Sequence, residues 1–454
     1  MAIETRNPVT GELLKEFRSW NSTELDSVLN DVAQATPLWQ KTTLDQRAQH
    51  LRAAASLLRK NQEQYAQLIT MEMGKVIAEA RAEVEKCATG CDYYADNAAE
   101  FLKDDMIESD AGRSYVACLP LGTILAIMPW NFPFWQVFRF AAPGLMAGNT
   151  VVLKHASNTP QCALAIEQLF LQAGLLKNVF RTLLISAEQT RSVIEDRRIH
   201  AVTLTGSETA GRRVASVAGA CIKKTVLELG GSDAFVVLED ADLDEAAKVA
   251  VKSRFLNSGQ SCIAAKRIIL VEAIADAFVE RFVKLVRALK PGNPLDSDHH
   301  IGPLARHDLR DTLHEQVRDS ITQGATPVLG CKVIDGPGTF YEISILDNVL
   351  PGMRAYDEEL FGPVACIVRV KNEQEALQMA NLHKYGLGAS VWTRDVARGE
   401  RFARDMQSGA SFVNGLVKSD ARLPFGGIKG SGYGRELSRH GIHEFVNLKT
   451  IWIK

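Results

Sequence analysis

The 454 residues carry 46% hydrophobic and 23% charged side chains and a formal net charge of −2. That length is too great for one compact core and predicts two or three domains of ordinary globular composition. So small a net charge excludes general attraction to nucleic acid or to an anionic membrane surface.

The N-terminus (MAIETRNPVTGELL) has no basic segment leading into an apolar run, and no stretch reaches the length of a membrane span. No signal peptide is predicted, and a cytoplasmic location is the default. The first hundred residues read as helical. Leu44, Ala48, Leu51, Ala55 and Leu58 form one apolar stripe, and a second helix is predicted over about 75–101. Cys87 and Cys91 share a face of that second helix and read as small buried residues; no metal site is predicted. The eight cysteines are scattered and do not form a disulfide framework.

From residue 122 the texture changes. Residues 122–128 (GTILAIM) and 150–153 read as buried strands, with helical patterns after Pro133 and over 160–173. Residues 179–185, 201–205 and 225–229 continue the strands. A second run spans about 232–417, with strands at 234–238, 267–271, 364–370 and 388–392. Such alternation implies parallel sheets covered by helices on both faces. A Gly-rich segment, 426–434, closes this run, and the β-prone residues 450–453 suit an edge strand.

Three segments carry chemistry. Asn257-Ser258-Gly259-Gln260-Ser261-Cys262 puts a cysteine after a polar, Gly-containing turn. Such a setting can hold a thiol at a loop–helix junction, where helix-end amides lower its pKa, although most lone cysteines are inert core residues. Glu228-Leu229-Gly230-Gly231 ends an apolar strand where α/β proteins place ligands; a surface glutamate before a turn fits it equally. The fingerprint G-x-G-x-x-G is absent, and Gly430, Gly432 and Gly434 miss its last spacing. Thr205-Gly206-Ser207, ending a strand and opening a helix, is a better pyrophosphate candidate, and equally an ordinary helix cap.

Together these segments resemble the aldehyde dehydrogenase superfamily. Pro129-Trp130-Asn131-Phe132-Pro133, Thr205-Gly206-Ser207, Glu228-Leu229-Gly230-Gly231, Gly259-Gln260-Ser261-Cys262, Glu359-Leu360-Phe361-Gly362-Pro363 and Pro424-Phe425-Gly426-Gly427 occur in that family's order and spacing, over nearly the whole chain. The resemblance implies that Cys262 is the nucleophile, that Asn131 and the Cys262 backbone N–H stabilise the oxyanion, and that Glu228 activates water against a thioester. It implies an NAD or NADP site built from Trp130, Lys154, Gly206, Ser207, Leu229, Glu359 and Phe361. The family's ribose-gripping glutamate is replaced by Ser157, which admits a 2′-phosphate and removes one preference for NAD.

Arg139 resembles the arginine with which succinate semialdehyde dehydrogenases hold a distal carboxylate, and Ser419 lies in a loop suited to further polar contacts. The substrate implied is therefore a small aldehyde with a distal carboxylate. A second arginine of those enzymes is Leu256 here, with Arg254 two residues away as a possible replacement. The implied fold is α/β, with a Rossmann-type cofactor domain (1–102 and 121–229), an α/β catalytic domain (230–435) and a β oligomerisation flap (103–120 and 436–454). The flap's edge predicts a homodimer or homotetramer. Two other readings stay open: a broad aliphatic or aromatic aldehyde dehydrogenase, and a catalytically silent binding or structural protein on the same scaffold.

Overall fold

Two mainly parallel sheets organise the chain, as the alternation of strands and helices predicts. The computed structural model of the protein describes residues 2–454. One sheet runs, in spatial order, Gly432–Tyr433, Lys224–Glu228, Ile199–Thr205, Thr123–Met128, Thr150–His155, Phe180–Thr182. All neighbours are parallel except Gly432–Tyr433. The chain moves outward from Thr123–Met128, then crosses back to lay Ile199–Thr205 on the other side. The loops leaving those two strands, at Pro129 and Gly206, therefore diverge and open a crevice at the sheet's carboxyl edge.

The second sheet has seven strands, ordered Thr326–Leu329, Ser344–Asp347, Val364–Val370, Ala265–Val271, Asp233–Val237, Gly388–Trp392, Ala410–Val413. Only the outermost pair is antiparallel. Every residue of Ala265–Val271 is buried, because helices cover both faces. Val236, Ile269 and Val368 pack on one side, Phe235, Ile268 and Ile367 on the other.

The sheets meet where Lys224–Glu228 runs through the Leu229–Ser232 turn into Asp233–Val237. The Gly-rich segment is a strap across that junction, Gly432 pairing with Glu228. Gly432 has φ +109°, and a Cβ there would stand 2.0 Å from the Leu227 carbonyl oxygen, so the strap requires glycine. A third, antiparallel sheet joins Val446–Ile453, Arg113–Pro120 and Asp105–Ile107. No described helix is long and apolar enough to cross a membrane.

The helices Leu44–Lys60 and Ile77–Phe101 lie where the apolar periodicity predicts them. The N-terminus differs from the helical reading. Ala2–Arg6 and Leu13–Arg18 form a hairpin, closed by a hydrogen bond from Gly11 N–H to the Asn7 carbonyl oxygen at 2.8 Å. The strand predicted over 179–185 shortens to Phe180–Thr182, at the sheet's edge.

Candidate active site

The crevice holds a cavity of about 360 Å³. Asn131, from the loop after Thr123–Met128, and Cys262, from the loop before Ala265–Val271, both line it. Cys262 does not start a helix. It follows a tight turn in which Asn257 and Ser258 have φ +55° and +54°, and it precedes a strand. The predicted lowering of its pKa by helix-end amides is therefore corrected: burial pushes the thiol up to about 12, against the pull of Lys266 and Arg139.

The strained turn is held from all sides. The Asn257 side-chain amide donates to the carbonyl oxygens of Asn131 (2.8 Å) and Gln260 (3.0 Å). The Asn131 amide also donates to the Gln260 carbonyl, at 3.1 Å, which leaves its second N–H for the cavity. Among the described residues the Cys262 N–H has no acceptor. The second Asn131 N–H and the Cys262 N–H are thus donors without a partner among the described residues, of the kind that an oxyanion would need.

Glu228 ends its strand beside the cavity, but its carboxylate turns away. It is 2% exposed, and neither oxygen has a hydrogen-bond partner among the described residues. Burial and the nearby Glu436 push its pKa well above the usual carboxylate range, while Arg139 and Arg435 oppose the shift. Gly426 explains the Pro424-Phe425-Gly426-Gly427 segment: a Cβ there would come within 2.6 Å of a Glu228 oxygen, and φ is +155°. Glu228 thus lies buried beside the wall of the cavity that Leu229 and Gly230 line.

The cavity suits a dinucleotide. Ser207 caps the thirteen-residue helix Glu208–Ala220, and its N-terminus, reached through Gly206, opens at the cavity wall where a pyrophosphate is favoured. Leu229 lines the same wall and packs where a Gly211 Cβ would lie. Phe361 meets Trp130 edge to face at 5.7 Å, and Glu359 lies beside them. Lys154 and Ser157 stand outside this lining, at the end of the adjacent strand, with Ser157 exposed.

The model of the aldehyde dehydrogenase family matches residues 1–451. The chain is 51% identical over 454 residues, all of both proteins, to a probable succinate-semialdehyde dehydrogenase [NADP(+)] of Synechocystis. It is 48% identical over the full length of both to succinate-semialdehyde dehydrogenase [NADP(+)] 1 of Mycobacterium ulcerans. The crystal structure of succinic semialdehyde dehydrogenase from Streptococcus pyogenes with NADP+ superposes with a TM-score of 0.97 at 40% identity, covering 99% of each chain. The chain belongs to the aldehyde dehydrogenase family.

Against that family background, the expected carboxylate-binding arginines are not free. Arg139 is 2% exposed; it is ion-paired with the equally buried Glu436, donates to Thr205 Oγ1 at 3.2 Å and stacks over Phe425. On the buried helix Trp135–Met146 it stands close enough to Glu228 to oppose the rise of that residue's pKa. Arg254 is fully buried and does not replace the missing second arginine. It donates to the carbonyl oxygens of Val364, Leu360, Gly259 and Gly362, stapling the Glu359–Pro363 segment to the loop that carries Cys262. Ser419, by contrast, accepts from Lys86 Nζ at 2.7 Å and from the Trp135 indole N–H at 3.0 Å.

Several residues of this aldehyde dehydrogenase site lie outside its motifs. Glu79 accepts from the Asn257 N–H, and Glu83 accepts from the N–H groups of Phe134 and Trp135, capping the helix that follows Pro133. Lys75 pairs with Glu83 and covers the Phe132 ring. Lys266 donates to the carbonyl oxygens of Ser261 (2.6 Å) and Cys262 (2.8 Å) and pairs with Glu359 at 3.1 Å. His155, kept neutral with a pKa of about 4 by burial, bonds the Pro133 carbonyl oxygen. The spacing of 79, 83 and 86 on one helical face was a readable signal for the acidic pair; Lys266 offered none without its partners.

Proposed function

We propose that the protein oxidises succinate semialdehyde to succinate with NADP+ and water, using Cys262 as nucleophile. The carrying observation is that Cys262 and Asn131 line one cavity with Gly206, Glu359 and Phe361. The thiolate attacks the aldehyde carbon, and the Asn131 amide and Cys262 N–H hold the resulting thiohemiacetal oxyanion. The bound dinucleotide supplies the hydride acceptor. The Cys262 thioester that remains is hydrolysed when Glu228 swings from its pocket and takes a proton from water. Burial and Glu436 push the Glu228 pKa up, which makes its carboxylate a stronger base toward that water.

The choice of succinate semialdehyde is supported by the Synechocystis and Streptococcus pyogenes proteins. NADP+ is further supported by Ser157, which puts no carboxylate where a 2′-phosphate would lie. Incubation of the enzyme with succinate semialdehyde or butanal and either cofactor, read by the absorbance of the reduced nicotinamide, tests the reading. Turnover that favours succinate semialdehyde and disappears in Cys262→Ser is expected. Equal turnover of butanal would favour the broad-specificity alternative, and an active Cys262→Ser would remove the nucleophile.

The protein works, in this reading, as a cytoplasmic homodimer or homotetramer. The flap sheet exposes Met106, Ile107, Leu448, Trp452 and Ile453, an apolar surface suited to a second copy. Light scattering that returns the mass of a single chain at micromolar concentration would overturn this assignment.

A further inference from the structure

The helix Glu208–Ala220 meets the cavity with its N-terminus, through Gly206 and Ser207. Ser207 Oγ accepts from the Ala210 N–H at 3.3 Å, while the N–H groups of Glu208 and Thr209 have no acceptor among the described residues. These are the donors that a pyrophosphate takes. The first residue of the helix is itself an acid, however, and a carboxylate in a helix's first turn is drawn to the same N–H groups. Unrestrained, Glu208 would compete with the cofactor's phosphates for those donors and repel them as a like charge.

Glu208 is restrained from two directions. Arg212, one turn further along the same helix, donates to Oε1 at 2.8 and 3.1 Å, but its side chain is 76% exposed and such a pair holds weakly in water. The other hold comes from the segment that leads into Gly388–Trp392 of the second sheet. Lys384 Nζ stands 3.1 Å from Oε2, and the Tyr385 O–H donates to the same oxygen at 3.1 Å. Lys384 also covers the Tyr385 ring, 4.9 Å from its centroid. Tyr385 is half-buried directly behind the cavity wall. A Cβ on Gly230, which lines the cavity, would stand 3.3 Å from Tyr385 Cζ and 2.5 Å from Glu359 Oε2. Burial first, then Glu359 and Glu208, push the phenol's pKa up, so its O–H remains a donor.

We propose that Tyr385 and Lys384 are positioning residues for the cofactor: reaching over from the second sheet, they hold the Glu208 carboxylate off its own helix N-terminus and leave those N–H groups to the pyrophosphate. The inference rests on the dinucleotide reading of the cavity and is independent of which aldehyde is oxidised. It also separates two parts of cofactor recognition. Ser157 bears on the 2′-phosphate of NADP+ alone, whereas Tyr385 and Lys384 act on the pyrophosphate that NAD+ and NADP+ share.

The test measures Kd for NADP+ and for NAD+ by quenching of tryptophan fluorescence, since Trp130 lines the cavity, together with kcat at saturating cofactor and succinate semialdehyde. In the double variant Tyr385→Phe/Lys384→Met, Kd for both cofactors should rise about threefold to tenfold while kcat stays within about twofold of wild type. Adding Glu208→Gln to that variant should bring both Kd values back to within about twofold of wild type, because a neutral amide neither repels the phosphates nor competes as an anion. Glu208→Gln alone should bind both cofactors at least as tightly as wild type. Unchanged Kd values in the double variant, a rise that Glu208→Gln does not reverse, or weaker binding in Glu208→Gln alone overturns the positioning role while the proposed reaction stands. Wild-type enzyme that binds and reduces neither cofactor overturns the dinucleotide reading and the inference with it.

Discussion

The carboxylate of Glu79 accepts a hydrogen bond at 2.8 Å from the backbone N–H of Asn257, 178 residues away in the chain. That bond fixes the left-handed turn which aims Cys262. Burial pushes the Glu79 pKa up to about 7, with Lys75 opposing. A carboxyl whose folded pKa lies above its unfolded value stabilises the fold fully below about pH 4.5 and loses that contribution as pH rises through 7. At pH 8 its ionisation costs roughly 3 kcal/mol. Glu79→Gln keeps the acceptor without the charge, so it should melt higher than wild type at pH 8, equal it near pH 4.5 and retain activity. Glu79→Ala leaves a buried N–H unpaired, which costs about 1–3 kcal/mol, and should lower kcat by loosening the loop. A Glu79→Gln protein with the same pH profile of stability as wild type would contradict this account.

The α/β architecture was legible because buried parallel strands are apolar runs: residues 364–370 and 388–392 match Val364–Val370 and Gly388–Trp392. The hairpin departs from the helical reading because Leu13–Arg18 is largely exposed, and the alternation of buried Ile3 and Thr5 with exposed Glu4 and Arg6 is too short to set a period. At the site, the segments at Cys262 and Gly206-Ser207 had open local readings, and Asn131 came only through the family resemblance. The pairing of Arg139 with Glu436 was not, since 297 positions separate them and a buried ion pair leaves no local pattern. For the same reason Arg254 could not be told from a substrate ligand until its four carbonyl partners were in view.

Lys266 sits against the Cys262 carbonyl oxygen and pairs with Glu359, so it sets the thiol's electrostatics without touching the sulfur's substrate. Its charge pulls the Cys262 pKa down, against burial. Below that pKa the alkylation rate tracks the thiolate fraction. Lys266→Met should therefore slow iodoacetamide modification of the apo enzyme at pH 8 by about tenfold for each unit of upward shift, whereas Lys266→Arg should retain most of the wild-type rate. An unchanged rate in Lys266→Met would show that the contact only braces the loop.

Cofactor choice should turn on residue 157. The exposed serine at the end of Thr150–His155 leaves Lys154 free to meet a 2′-phosphate. Ser157→Glu places a carboxylate there, and like-charge repulsion should raise KM for NADP+ by at least about tenfold while KM for NAD+ stays level or falls. Steady-state kinetics with both cofactors at fixed aldehyde decide the matter. Equal effects on the two would place the 2′-phosphate elsewhere.

Arg139 and Glu436 are each 2% exposed, and Glu436 is the charge that most raises the pKa of Glu228 after burial. Removing the guanidinium alone strands a carboxylate in the interior, at a typical cost of about 3–5 kcal/mol. Arg139→Met should therefore be much less stable to urea than wild type, and the double variant Arg139→Met/Glu436→Gln should recover a large part of the loss. Both variants alter the surroundings of Glu228 rather than the aldehyde's far end. Their kcat should accordingly fall in the same proportion for succinate semialdehyde and butanal. A rise in KM confined to succinate semialdehyde in Arg139→Met would return this residue to the carboxylate-binding role that its ion pair argues against.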